Sequence, residues 1–192
     1  MAIRDTVAKV KLRHWQRSVE PKAHRFPDDL LTPKRLLVCL PSGLRELTLV
    51  KQFLPAITYL FKPADITLLT APGVRVSDIY PRKGFQILSP STDQLTWSGL
   101  PRKSYLKLLR EYKFDAVLDL NLQATVFTTA VLLNFPEAIR IGCGNIPGRP
   151  FYNLEIKTKY LRDERNIYRS LLETLGVIMN RRLDALRPAG IG

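Results

Sequence analysis

The segment Leu36-Leu37-Val38-Cys39-Leu40 is an unbroken apolar run of five residues, stopped by Pro41-Ser42-Gly43. A strand exposed on one face alternates apolar and polar side chains; a run without alternation needs cover on both faces, as in a parallel sheet. The same pattern returns four times. Asp65 to Thr70 closes on Ala71-Pro72-Gly73, Phe85 to Leu88 is weaker, Asp115 to Leu120 is clear, and Ala138 to Gly142 completes the set. Between them lie segments of helical period. Glu46 to Tyr59 places Leu47, Val50, Phe53, Leu54 and Ile57 on one face, with Pro55 inside. Ser104 to Tyr112, Gln123 to Leu133 and Asp163 to Leu175 are the others, the last with Gly176 placed to cap it. Strands alternating with helices predict an α/β fold: a single Rossmann-like, open, mainly parallel sheet with helices on both faces. At 192 residues the chain is long enough for one such domain.

Residues 1–34 read as a basic N-terminal extension ahead of a domain at 35–192, because Pro21, Pro27 and Pro33 interrupt any long element. Ile3, Val7 and Val10 fall at helical spacing among Arg4, Lys11 and Arg13. The alternation Lys9-Val10-Lys11-Leu12-Arg13 fits a strand equally well. Charge sharpens the division. The chain has 30 Lys and Arg against 17 Asp and Glu, a net +13. Residues 1–35 hold nine basic and four acidic groups, residues 36–139 eleven and eight, and residues 140–192 ten and five. The excess therefore sits at the two ends, and implies an anionic partner: an acidic protein or larger complex, or an anionic membrane surface. Nucleic acid is a weaker reading, since the aromatics lie in apolar runs and not among the basic clusters.

Two cysteines, Cys39 and Cys143, exclude a disulfide framework and read as small buried thiols. No stretch approaches the ~18 consecutive apolar residues of a membrane-spanning helix, and no apolar region follows the basic N-terminus as in a secretory signal. The expected setting is cytoplasmic, at most peripheral on the cytoplasmic membrane face.

Ligands of open parallel sheets bind beyond the carboxyl ends of the strands. That selects Pro41 to Glu46, Ala71 to Arg75, Asp119 to Gln123 and Gly142 to Arg149. A Walker A sequence, a GxGxxG after the first strand and a GxSxG elbow are all missing. The Gly142 to Gly148 segment reads as a turn. The two histidines, His14 and His24, both precede the domain, so neither a His-based triad nor a metal site is expected, nor any cofactor. A carboxylate is left as the candidate general base. Glu46 stands in the first strand–helix connection, where the helix dipole would equally favour an acidic residue. Asp119 ends a strand and reads as catalytic or as a local hydrogen-bonding group. Ser42, Arg45, Asn121, Arg140, Arg149 and Lys157 are candidates for ligand or phosphate binding.

The order Arg35 to Leu40, then Ala64 to Leu69, then Tyr112 to Asn121 resembles the N-terminal half of family 9 glycosyltransferases, the lipopolysaccharide heptosyltransferases. Arg140-Ile141-Gly142 is similar to that family's strand-plus-RIG signature. Glu164 to Leu172 followed by Leu175-Gly176-Val177 is similar to the helix closing the half. The likeness spans residues 35–178. It implies a GT-B arrangement, with an N-terminal half for a lipid acceptor and a C-terminal half for a nucleotide sugar. Ending at Gly192, the chain is expected to lack the donor-binding half. The family's first turn carries a Gly-Asp pair whose Asp is the base; Arg45 and Glu46 stand there in this sequence. A bulky cation in place of the glycine and a longer acid imply a non-catalytic binding or scaffolding module, a pseudoenzyme subunit of a complex. The alternative is the acceptor-binding half of a split enzyme, with Glu46 as base and Arg140, Arg149 and Lys157 on acceptor phosphates.

Overall fold

A computed structural model describes residues 2–20, 22–74, 76, 79–80, 84–143, 152–160 and 162–183. Among the described residues, six parallel strands form one open sheet in the order β3-β2-β1-β4-β5-β6. They are β1 (Arg35–Cys39), β2 (Asp65–Leu69), β3 (Gln86–Leu88), β4 (Ala116–Asp119), β5 (Ile139–Cys143) and β6 (Leu154–Ile156). The helices are α1 (Ala2–Ser18), α2 (Asp28–Leu31), α3 (Leu44–Phe61), α4 (Lys103–Glu111), α5 (Val126–Leu133) and α6 (Glu164–Ile178). The apolar runs behave as their lack of alternation requires. Leu36, Val38 and Leu40 face α3 and α6, while Leu37 and Cys39 face α4 and α5. The Asp115 carboxylate fixes the lower end of β1 by accepting the backbone N–H of Lys34 and Arg35 at 2.8 and 2.9 Å.

Three features depart from the sequence reading. Residues 2–20 and 22–34 do not form the separate basic extension expected. α1 takes the helical one of the two forms the sequence left open, and packs on α5 through Leu12 and Trp15, with Ala8 buried beside them, while Leu30 of α2 is buried in the main core. Of the apolar residues read at helical spacing, Ile3 and Val10 remain 77% and 58% exposed. Second, Gly176 does not cap α6. The helix runs on to Ile178, and Asn180 takes the left-handed conformation (φ 50°) that ends it. Gly176 is needed because the Arg181 carbonyl returns across it, leaving no room for a Cβ. From there Arg181 Nη1 donates to the carbonyls of Leu60 and Lys62 at the end of α3. Third, β6 adds a sixth strand, too short at three residues for a pattern. The Gly-rich segment beyond Cys143, including Arg149, and Arg75 of the second loop lie outside the described residues. Among the described residues, no helix is long and apolar enough to cross a membrane.

Candidate functional site

The chain runs outward from β1 through β2 to β3, then returns along α4 to place β4 on the other side of β1. Strand order therefore reverses between β1 and β4, and a crevice opens beyond their carboxyl ends. Two of the sequence-selected segments meet there. Ser42, Arg45 and Glu46 come from the β1–α3 connection, and Asp119 and Asn121 from the end of β4, where Cys39 and Asp119 are register partners.

On the first side, Glu46 occupies the third position of α3 and turns back to accept the Gly43 backbone N–H, half of a capping box. A Cβ on Gly43 would touch Glu46 Oε2 at 2.9 Å, so the glycine makes room for this return. Burial, and then the neighbouring Glu164 carboxylate, raise the Glu46 carboxyl above its ordinary 4.5. Glu164 opens α6 and pairs with the Nε of Arg45 at 3.3 Å, although Arg45 itself is largely in solvent. Such an exposed pair stabilises little. Behind them Tyr168 is buried and donates its hydroxyl to the Leu120 carbonyl at 2.9 Å, tying α6 to the end of β4.

On the second side, Asp119 is buried within a closed hydrogen-bond network. Its Oδ1 accepts the Asn121 backbone N–H at 3.0 Å and Nδ2 at 2.7 Å, and its Oδ2 accepts the Tyr152 hydroxyl at 2.8 Å. Asn121 Nδ2 continues to Thr128 Oγ1 at 3.4 Å, and Thr125 caps α5 by accepting the Thr128 N–H at 3.0 Å. Desolvation outweighs these bonds and raises the Asp119 carboxyl. The buried Cys39 and Cys143 thiols beside it are raised as well, Cys143 to about 11, by burial first and by Asp119 second. Neither is a ready thiolate. Gly142 explains itself here: the Tyr152 ring lies where a Cβ would stand.

Arg140 lies near the amino end of β5, away from the crevice. Its N–H and Nε both donate to Asn153 Oδ1, at 2.9 and 3.1 Å, and burial lowers its pKa. Lys157 is exposed just past the end of β6, on the crevice edge but two strands from β4. Glu46 and Asp119 share no hydrogen bond. Sequence reasoning missed Tyr152, Tyr168, Thr128 and Glu164. Of these only Glu164 carries a local signal, an acid in the first turn of a helix behind the N-cap Asp163.

Fold and crevice together define a Rossmann-like α/β protein with a switch-point site. Among solved structures it is similar to E. coli heptosyltransferase WaaC with ADP, with TM-score 0.50, 16% identity, and coverage of 82% of this chain and 50% of that one. It is likewise similar to the family 9 glycosyl transferase from Veillonella parvula, with TM-score 0.52, 17% identity, and coverage of 77% and 42%. The chain thus has the fold of about half a family 9 glycosyltransferase, and spans half or less of those chains' length. Scans against family models and curated proteins give no match.

Proposed function

We propose that this chain is a non-catalytic, family 9 glycosyltransferase-like module that binds an anionic partner through its basic surface. The supporting observation is the state of its two crevice carboxyls. Glu46, at the position the resemblance gives to the base, is turned onto its own helix N-terminus. Asp119 is buried and bonded to Asn121 and Tyr152. Neither presents a free carboxylate to a sugar hydroxyl, which a general base must reach. The test incubates the purified chain with an ADP-linked sugar and a lipid acceptor and measures ADP release. We expect none above background, with Glu46→Gln indistinguishable from the parent. Release that disappears in Glu46→Gln would overturn the proposal.

One observation favours a split enzyme: Glu46 stands at the switch point with a raised carboxyl pKa, as general bases often do. On that reading, transfer appears once a donor-binding chain is added, and Glu46→Gln abolishes it.

A further inference from the structure

Trp97 is a large apolar side chain held in solvent, 58% exposed, by a tightly bonded turn. Thr96 N–H donates to the Leu100 carbonyl at 2.8 Å, Gly99 N–H returns to the Thr96 carbonyl at 2.9 Å, and Leu95 pairs with Pro101 as an antiparallel bridge. Gly99 closes the turn at φ +80°, a conformation that costs glycine little. Arg102 Nε fixes the base by donating to the Leu95 carbonyl at 3.0 Å. The turn places Trp97 at the surface.

The turn adjoins α1. Leu100, three residues from Trp97, packs in the same cluster as Leu12 and Trp15 of α1. Ala8, Leu12 and Trp15 form the inner face of that helix, so its opposite face looks outward. Ile3 and Val10 stand on it two turns apart, with the exposed Arg13 and Arg17 beside them. In all, α1 carries five Lys and Arg against Asp5. On α4, Lys103 and Lys107 are exposed as well.

We propose that this flank, the outer face of α1 with the Trp97 turn, docks on an anionic bilayer surface. Single exposed apolar side chains set among cations suit a bilayer interface, which accepts an indole at headgroup depth while Lys and Arg take up lipid phosphate charge. Few apolar groups and several cations make the attachment shallow, reversible and salt-sensitive. This names the partner of the binding module above but does not depend on the state of Glu46. The transfer assay tests the carboxylate, the vesicle assay tests the flank, and each can fail alone.

The experiment uses the full chain with vesicles of phosphatidylcholine alone, and of phosphatidylcholine mixed with phosphatidylglycerol. Co-sedimentation is expected with the mixed vesicles only, falling as salt rises. In Trp15→Phe, Trp97 is the sole indole, and its emission shifts to the blue on binding. Arg13→Gln with Arg17→Gln weakens partitioning roughly 25-fold, taking about fivefold per cation near an anionic surface. Trp97→Ala weakens it further. These exposed positions leave circular dichroism unchanged. Arg165→Gln with Arg169→Gln removes the same charge from α6, which covers the opposite face of the sheet, and leaves partitioning intact. The proposal is overturned by absent binding to anionic vesicles, by equal loss in the two arginine pairs, or by an unshifted Trp97. Binding to polyglutamate in place of vesicles would overturn it too.

Discussion

Asp119 shows how one buried group can be well bonded and still costly. Three donors converge on its carboxylate, yet burial raises its pKa above the ordinary 3.8. The folded state therefore favours the protonated acid. That contribution to stability is complete below pH 3.8 and is lost as pH rises through the higher folded value. Asp119→Asn keeps an acceptor for Asn121 without the charge. At neutral pH the variant is expected to melt above the parent by about 2–4 °C, the shift for roughly 1 kcal/mol in a chain of this size. The gap should close in acid. Thermal melts across that range decide it, and a gap that widens towards acid would mean the carboxylate is the favoured form. Glycines have equally local explanations: Gly43 admits the Glu46 carboxylate, and Gly142 admits the Tyr152 ring.

Helix α5 has no charged face because it is covered nearly all round. Phe127, Val131 and Leu132 face the sheet, while Ala130 and Leu133 meet α1. α1 thus completes the burial of α5, and only one of its faces does so. Leu12→Ala should cost about 2–3 kcal/mol in urea unfolding, at the low end for a buried leucine in an outer layer. Val10→Ala, on the solvent face, should cost under about 0.5 kcal/mol. Equal losses would place the wrong face against α5. The α1 sequence permits either outcome, since Ile3, Val7 and Val10 form a stripe as regular as that of Ala8, Leu12 and Trp15. Tertiary competition settles it: Leu12 and Trp15 are the side chains that pack against Ala130 and Leu133 of α5. Ile3 and Val10 are then left for another surface.

At the scale of the whole molecule, stability should follow distance from the sheet centre. β1 and β4 are buried on both faces, whereas the edge strands β3 and β6 are three residues each and half-exposed. Native-state hydrogen exchange should find the slowest amides in β1 and β4 and faster ones in β3, β6 and α1. Slowest exchange in an edge strand would contradict this architecture. The charge pattern also acquires geometry. The N-terminal excess lies on a helix outside α5, on one flank, and not as a field across the crevice.

Much of the sheet is legible in local chemistry. Leu36 to Leu40 and Asp115 to Leu120 declare two-faced burial within five or six residues, and Pro41-Ser42-Gly43 places the turn that opens the crevice. β6 is not legible, because three residues cannot show a period. Nor is the end of α6, where the return of Arg181 onto α3 turns an apparent capping glycine into a contact point. In the crevice, Glu46 and Asp119 could be picked out by position, but not their condition.

By itself, then, the sequence determined the class of fold, the alternation of elements, and the loops that border the switch point, since each depends on side chains only a few residues apart. The tertiary structure alone decided three things. It decided that Tyr152 seals Asp119 across 33 positions of sequence, that Glu164 faces Glu46, and that α1 turns Leu12 inward and Val10 outward. Those outcomes follow from which surfaces win the competition for burial once distant segments meet, and no local period encodes the result of that competition.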